Sequence, residues 1–338
     1  MTDSASKPAP ARVKPGVIVA SALGLLLLTL VVVWVGVKPV GSAIERIGLQ
    51  GFALFLLAWL TVVITLGLAW FTAAPGLPAS RAGTYVWGRF VREGASDLLP
   101  FSQIGGLLIG CRAVIARGVA EPLVYASTLV DMTAEIAAQV LYSLGGVAAL
   151  VVTRFGTEGS RPILWGAAGG VLVLIAAAGA FIALQRRGVA WIGGLMSRWA
   201  PSAVAQADSL KIALDDIYRR PARMTLAVAL HCSAWIGSST VSWFGLQLMD
   251  VHAPLWAVLA AESLMYVLRS AGFMIPAALG VQEGAYVLMG PLFGLPAPDM
   301  LALSLVKRGR DIVVGAPVLI AWQALEATAA ARRLRAAP

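Results

Sequence analysis

Two pairs of charged side chains stand in the middle of strongly apolar stretches of this sequence. Asp131 and Glu135 lie four residues apart, as do Lys307 and Asp311, so each pair would share one face of a helix. An ionised group at mid-bilayer costs at least about 2.5–3.5 kcal/mol unless it is paired or hydrated. Such groups bind a charged headgroup, relay a proton or form a structural ion pair. We expect Asp131 and Glu135 to form a network with Lys307 or Arg310.

A second candidate is the stretch GFMIPAALGVQEG at 272–284, where Pro276 and three glycines interrupt an apolar run that also contains Glu283. A broken helix in hydrocarbon leaves backbone N–H and C=O groups unpaired, and it survives only where protein or a water-filled cavity covers it. The Glu283 carboxylate is therefore a candidate for a functional site. The alternative is a simple kink, with Glu283 solvated at an interface or paired with Arg269.

Arginines outnumber carboxylates around the interrupted stretches. Guanidinium groups and the free N-termini of half-helices favour anions, which suits a lipid phosphate or another anionic headgroup. Snorkelling to the membrane surface is the alternative, above all for Arg89 and Arg92. The candidate substrate-binding residues are Arg92, Glu93, Arg112, Asp131, Glu135, Arg269, Pro276, Gly280, Gln282, Glu283, Lys307, Arg310 and Asp311.

The surrounding sequence has the composition of a polytopic membrane protein. Of its 338 residues 59% are hydrophobic and 13% charged, with a mean hydropathy of +0.82. The net charge of +9 fits basic cytoplasmic flanks, so we expect no nucleic-acid partner. Two isolated cysteines and two histidines give no disulfide framework or metal-ligand spacing, so we expect no metal and no cofactor. We expect His231 to be a packing residue.

Six apolar runs are long enough to cross a bilayer as helices. They are 17–37, 49–71, 122–152, 162–184, 224–248 and 298–327. The regions 84–120 and 255–296 are apolar but too broken and charged for one span, so we interpret each as two half-helices. We predict an all-α polytopic membrane protein with about six full transmembrane helices and two broken or re-entrant helix pairs in an inverted repeat.

Basic residues orient this arrangement through the positive-inside rule. They place the N-terminal tail 1–16, the amphipathic loop 185–223 and the C-terminal tail 331–338 in the cytoplasm. Residues 17–330 then form a single transmembrane domain in the inner membrane, with both termini cytoplasmic. Region 84–120 would begin and end on the cytoplasmic side, and region 255–296 on the outer side.

The two halves align weakly at an offset of 176 residues. The aligned pairs include Pro100 with Pro276, Pro122 with Pro298, Trp59 with Trp235, Gly118 with Gly294, Asp131 with Lys307 and Glu135 with Asp311. The repeat units, about 49–152 and 225–327, would have opposite orientations. Inverted repeats with broken helices at mid-membrane are typical of transporters, because two similar halves give one site access to both sides. Duplication without a transport role is the alternative.

The motif P-x-x-x-G-V-Q-E-G at Pro276–Gly284 resembles a segment of the flippase-like membrane domain of lysylphosphatidylglycerol synthases. The segments GRFVREGASDLLPFSQIGG, TLVDMTAEIAAQ and SLVKRGRDIVVGAP are similar to hopanoid-biosynthesis-associated membrane proteins of the HpnL family. The resemblance implies an inner-membrane, flippase-like protein whose partners are a membrane lipid (hopanoid, phospholipid or glycolipid) and other hopanoid-pathway membrane proteins. It also supports the charged residues of these motifs as site candidates.

We therefore expect a lipid transporter, driven by proton coupling through Asp131, Glu135 or Glu283, or by simple equilibration. No nucleotide-binding loop that would supply ATP energy is present in the sequence. We do not expect an enzyme, because no nucleophile–base pair or metal cluster is visible. An intramembrane lipid-modifying enzyme and an accessory scaffold of hopanoid biosynthesis are the alternatives.

Overall fold

The chain is described by a computed structural model over residues 37–99, 102–154, 160–196, 201–271 and 278–336. It is 90% helical, and the described residues form ten α-helices and no strand, which confirms the predicted all-α class. The helices are α1 (Val37–Thr72), α2 (Ala82–Leu98), α3 (Ser102–Ile115), α4 (Glu121–Arg154), α5 (Ser160–Met196), α6 (Pro201–Tyr218), α7 (Pro221–Leu248), α8 (Leu255–Ala271), α9 (Val281–Met289) and α10 (Ala297–Ala336). The predicted first span lies, but for its last residue, outside the described residues.

Five of the described helices are long and apolar enough to cross a membrane. They are Glu45–Thr72, Glu121–Thr153, Leu164–Phe181, Pro221–Leu248 and Ala297–Ala329. They coincide with five of the six predicted spans. Large apolar side chains such as Trp165, Leu172 and Val173 are exposed on α5, as hydrocarbon contact requires.

Each of the two interrupted regions contains a pair of shorter helices. In the first, α2 has 17 residues and α3 has 14; in the second, α8 has 17 and α9 has 9. At 1.5 Å per residue these helices are about 14–26 Å long, below the roughly 30 Å of a hydrocarbon core. None of the four therefore has the length of a span.

Glycines bring the backbone of α2 close to its neighbours α3 and α10. A Cβ at Gly106 would come within 2.7 Å of the carbonyl oxygen of Arg92, on the α2–α3 contact. A Cβ at Gly94 would lie 3.1 Å from the Cα of Gly315, on the α2–α10 contact. Small residues at helix contacts allow this close approach within a membrane, where packing replaces the hydrophobic effect. The α2 helix is thereby held at a fixed position between the two halves.

The helix ends repeat at the offset found in the sequence. The α1 helix ends at Thr72 and α7 at Leu248, while α4 begins at Glu121 and α10 at Ala297. Gly118 and Gly294, which precede α4 and α10, both adopt left-handed backbone conformations, with φ of 83° and 77°. Residues that are 176 positions apart thus occupy equivalent positions in two units with a similar order of helices.

The equivalent helices α1 and α7 pack against each other in opposite directions. A Cβ at Gly51, near the start of the apolar part of α1, would lie 3.6 Å from the Cβ of Leu248, at the end of α7. Near the middle of both helices, a Cβ at Gly237 would lie 3.6 Å from Cγ2 of Val62. Antiparallel packing of equivalent helices is what an inverted repeat requires.

Arg46, at the start of the apolar part of α1, and Arg223, near the start of α7, each bind the end of the other helix. The Nε of Arg46 donates to the carbonyl oxygen of Met249 at 2.6 Å. At the opposite end, a guanidinium N–H of Arg223 donates to the carbonyl oxygen of Thr72 at 3.2 Å. Unpaired carbonyl groups at a helix C-terminus attract cations, so both contacts stabilise the pair.

Candidate functional site: charged side chains at mid-span

The predicted charged residues lie inside the candidate spans, about a third of the way from the first residue to the last, and we call this level mid-span. Asp131 and Lys307 each stand ten residues after the first residue of their helix, α4 or α10. Ten residues correspond to about 15 Å, or half of a hydrocarbon core. Both charges therefore lie about 15 Å along an apolar helix, where each of them needs a counter-ion.

The first network, defined by Arg89, Arg92, Asp131 and Glu135, joins α2 to α4. Arg92 donates to Asp131 Oδ2 at 3.0 Å and to Glu135 Oε2 at 2.9 Å. Arg89 donates to Glu135 Oε1 at 2.9 Å and lies 3.5 Å from Asp131 Oδ2. Two guanidinium groups thus hold two carboxylates through charge-assisted hydrogen bonds, which are the strong class.

Two further side chains extend the first network. His231 on α7 lies with its Nε2 2.8 Å from Asp131 Oδ1, and both side chains are completely buried. His231, expected to be a packing residue, thus also bonds a network carboxylate. Glu93 lies 2.7 Å from the Nε of Arg89 and is partly accessible.

The second network, defined by Lys307, Glu262, Tyr286 and Ser242, joins α10 to α7, α8 and α9. The Nζ of Lys307 lies 3.1 Å from Glu262 Oε1 and 3.1 Å from Ser242 Oγ, and it also contacts the Tyr286 hydroxyl. Tyr286 donates to Glu262 Oε1 at 2.6 Å. All four side chains are buried, so an ammonium and a carboxylate neutralise each other away from any accessible surface.

The predicted pairing of Asp131 and Glu135 with Lys307 or Arg310 is wrong. Asp131 and Glu135 pair with guanidinium groups on α2, and Lys307 pairs with a carboxylate on α8. The physical reason is the place of α1 and α7, which pack together where the two halves meet. The α4 helix packs on α7 and α8, and α10 packs on α1 and α2, so α4 and α10 do not lie against each other. The ion-pair partner of Asp131 and that of Lys307 each come from the same half as the charge itself.

Arg310 pairs with its neighbour in the chain. Its Nε and one terminal nitrogen lie 2.9 and 2.6 Å from Asp311 Oδ1, and its guanidinium carbon lies 3.7 Å from the centre of the Trp59 ring. Both side chains of the pair are buried. The Trp59 face adds a cation–π contact between α1 and α10.

Asp97 and Arg269 link the two short-helix regions. Arg269 NH2 lies 3.4 Å from Asp97 Oδ1. Asp97 is the second-last residue of α2, and Arg269 stands two residues before the end of α8. The pair therefore connects the two helices at the places where each of them ends.

Glu283 is buried completely, and three donors occupy its carboxylate. The backbone N–H of Gly280 donates at 2.8 Å, the Nε of Arg308 at 2.8 Å and the Ser304 hydroxyl at 3.4 Å. Gly280 adopts a φ of 74°, which allows the turn into α9, and the carboxylate caps the N-terminus of that helix. The alternative pairing of Glu283 with Arg269 is wrong, because Arg308 is the cation at this carboxylate.

The structure separates two other candidates, Gln282 and Arg112, from these networks. Gln282 is buried and donates to the Ser304 hydroxyl at 3.1 Å. Arg112 is largely exposed and lies 2.6 Å from Glu326, on the flank formed by α3 and α10. Pro276 lies outside the described residues. Gln282 and Arg112 therefore have local structural partners.

Four charged side chains around the first network and the Asp97–Arg269 pair keep 15% or more of their surface accessible, and we refer to them as the central charged site. The exposed fractions are 27% for Glu93, 24% for Arg269, 21% for Glu135 and 15% for Asp97. The charged neighbours of Asp97 are Asp311, Arg269, Glu93 and Arg310. The accessible charges thus lie close together and come from α2, α4 and α8.

An apolar cavity of about 440 Å³ lies between α4, α7 and α8. Gly145 and Gly146, Trp256 and Ile236 are among its lining residues. The hydroxyl of Tyr142, also in the lining, is satisfied by Ser239 and by the carbonyl oxygen of Leu259. The volume lies within the usual range for small-molecule sites, and the lining suits an apolar group.

Sequence reasoning left Glu262, Tyr286 and Arg308 out of the site. A signal existed for Glu262, because the buried Lys307 needs a carboxylate and Glu262 stands in a neighbouring apolar run. The same reasoning applies to Arg308 and Glu283. No pattern in the sequence distinguishes Tyr286 from an ordinary apolar-helix tyrosine. Over the part of the chain that is described, no group of three or more His, Cys, Asp or Glu residues could hold a metal ion.

Comparison with known proteins supports a family assignment. Residues 17–318 match the family described as the transmembrane region of lysylphosphatidylglycerol synthase. Neither the curated proteins nor the solved structures contain a match. The narrower assignment to hopanoid-associated proteins stays a prediction. The match spans most of the sequence, and the multi-pass helical structure of the chain agrees with it. The chain is therefore a lipid-handling membrane protein that belongs to the lysylphosphatidylglycerol synthase transmembrane-region family.

Proposed function

We propose that the protein moves a membrane lipid between the two leaflets, with the headgroup passing the central charged site. The observation that carries this proposal is the accessible surface of the four ionisable side chains in the central charged site. Charged groups at that depth require water or a polar ligand, and the rest of the mid-span charges are satisfied by each other. A lipid headgroup is the polar ligand that a bilayer supplies.

The antiparallel packing of α1 and α7 supports alternating access. Two similar units in opposite orientation can expose one site first to one side of the membrane and then to the other. In this proposal the protein lies in the inner membrane with both termini cytoplasmic. Asp131 and Glu135, which share the first network, would carry any coupled proton; without coupling, the lipid would equilibrate.

The apolar part of the lipid would lie in the cavity between α4, α7 and α8. Its open, apolar lining accepts a hydrocarbon chain or ring system without leaving a polar group unpaired. The resemblance to hopanoid-associated proteins makes a hopanoid one candidate lipid, beside a phospholipid or a glycolipid. Other membrane proteins of hopanoid synthesis would then be its partners.

We propose transport without chemical change of the lipid. The buried second network, which holds a carboxylate, a phenol and an ammonium, is enclosed and does not reach the accessible charges. A lipid-modifying enzyme would instead produce a new lipid species. An accessory scaffold would tolerate neutralisation of the central charged site.

A lipid-movement assay in proteoliposomes tests the proposal. Purified full-length protein is reconstituted with fluorescent phospholipid and hopanoid probes, and the fraction of probe that a membrane-impermeant quencher reaches is followed over time. We expect wild type to equilibrate at least one probe faster than protein-free vesicles, and Glu135→Gln to slow it at least tenfold. Asp216→Asn, in the exposed Asp216–Arg220 pair, is the matched control and should have no effect.

Absence of movement for every probe, with protein that remains monodisperse, would contradict transport. Lipid analysis of a deletion strain would then separate the other two functions. A missing modified lipid would indicate an enzyme, and an unchanged lipid profile a scaffold. Equal movement by wild type and Glu135→Gln would remove Glu135 from the transport path.

A further inference from the structure

Arg269 differs from the other mid-span cations in how it is held. Each of the others makes at least two polar contacts of 3.2 Å or less; these cations are Arg89, Arg92, Lys307, Arg308 and Arg310. Within the described part of the chain, the guanidinium of Arg269 makes one polar contact, at 3.4 Å to Asp97. A guanidinium can form up to five hydrogen bonds, so most of the Arg269 donors have no partner among the described residues.

The surroundings of Arg269 carry charges of both signs. Asp97 is close to two further carboxylates, Asp311 and Glu93, and to two cations, Arg269 and Arg310. A ligand with a negative charge alone would be attracted to Arg269 but repelled by the carboxylates around it. A ligand with a positive charge alone would be attracted to the carboxylates but repelled by Arg269. A ligand with both charges satisfies both sides.

The spacing of the carboxylates on α2 fits a headgroup with two charges. Glu93 and Asp97 are four residues apart, so their Cβ atoms are about 5–6 Å apart on one face of the helix. Glu93 is the most accessible of the four side chains in the central charged site. A phosphate that takes the place of Asp97 at Arg269 would put an amine, two carbons away, next to Glu93.

We propose that Arg269 and Glu93 bind a zwitterionic phospho-amine headgroup of the phosphoethanolamine type, the phosphate on Arg269 and the ammonium on Glu93. This inference rests on the proposed function, because it names the headgroup that the central charged site accepts. Asp97 occupies Arg269 when no headgroup is bound, and Arg310 is its second cationic neighbour when the phosphate takes its place. Arginine binds phosphate through two parallel hydrogen bonds, a geometry that its single 3.4 Å contact to Asp97 does not use.

A binding experiment with short-chain lipids tests the headgroup. Full-length protein in detergent is titrated with dihexanoyl phosphatidylethanolamine, dihexanoyl phosphatidylglycerol and dihexanoylglycerol, and affinity is measured by microscale thermophoresis. We expect the phosphatidylethanolamine to bind about tenfold or more tightly than the phosphatidylglycerol, the effect of roughly one charge-assisted hydrogen bond. The uncharged dihexanoylglycerol should bind weakest.

Four substitutions at three residues assign the two charges. Arg269→Gln should weaken binding of both phospholipids at least tenfold, and Arg269→Lys should restore part of it. Glu93→Gln should weaken only the phosphatidylethanolamine and so remove the preference between the two. Asp97→Asn should strengthen binding of both about threefold or more, because it removes the competing carboxylate. Asp216→Asn is again the control, and the melting temperature of each variant verifies folding.

The direction of the Asp97→Asn effect decides between a binding site and a structural ion pair. If Asp97→Asn weakens binding as Arg269→Gln does, or if phosphatidylglycerol binds wild type as tightly as phosphatidylethanolamine, the proposal is overturned. Headgroup-selective binding without lipid movement in vesicles would reject transport and keep this site. Lipid movement without headgroup-selective binding would keep transport and reject this site.

Discussion

The two halves place opposite charges at the same position of their last spanning helix. In the first half Asp131 on α4 pairs with Arg92 on α2, and in the second half Lys307 on α10 pairs with Glu262 on α8. The first network reaches accessible surface through Glu135, whereas the second is enclosed. The repeat therefore preserves the place of a buried ion pair but not its sign. One pair borders the candidate lipid path, and the other holds its half together.

The largest expected effect comes from breaking the enclosed pair. Lys307→Met leaves the Glu262 carboxylate buried without a cation, which we expect to lower the free energy of unfolding by about 3–5 kcal/mol. Thermal unfolding in detergent measures this loss. The double variant Lys307→Met with Glu262→Gln should recover most of it, because no uncompensated charge remains. A single variant as stable as wild type would show that the second network is not a structural pair.

A smaller effect is expected from the equivalent position of the first half. Asp131→Asn leaves Arg92 and Arg89 with the Glu135 carboxylate, so we expect a loss of about 1–3 kcal/mol, from the bonds to His231 and Arg92. The same thermal unfolding measurement applies. If Asp131→Asn lowered the free energy of unfolding more than Lys307→Met did, the structural ion pair would be the first network and not the second.

The smallest effect tests the repeat itself. Gly118 and Gly294 have left-handed φ values, and a Cβ at either position would meet no atom within 4 Å. Replacing either by alanine should therefore cost about 1 kcal/mol of unfolding free energy, from backbone conformation alone. Two equal losses would agree with equivalent turns. A loss at one position only would place the two turns in different structural roles.

The sequence predicted the helices well because the length of an apolar run is a local property. The spans α4 and α7 agree with their predicted bounds within a few residues, and the interrupted regions contain the short helices. The ion pairs were predicted poorly because a partner depends on which helices are neighbours. Because Asp131 aligns with Lys307 in the repeat, we expected the two side chains to meet where the two halves contact each other. Helices α1 and α7 form that contact between the halves instead. No pattern of charged residues in the sequence indicates that they do.

The assignment of site residues was incomplete for a second reason. Glu283 stands out in the sequence because a carboxylate in a broken apolar run is rare, but its partners are a backbone N–H and Arg308. The sequence does not distinguish a carboxylate that caps a helix from one that binds a ligand. Asp97 and Arg269, in contrast, keep accessible surface because they lie at helix ends.

Arg308 has a mechanical consequence for any movement between the halves. It binds Glu283 on α9 and the carbonyl oxygen of Ala278 in the segment before α9, so α10 carries both with it when it moves. The contact of α10 with α2 is tight, because a Cβ at Gly315 would lie 2.9 Å from the Leu98 side chain and 3.1 Å from the Cα of Gly94. We therefore expect α9 and α10 to move together as one rigid body in any movement between the halves.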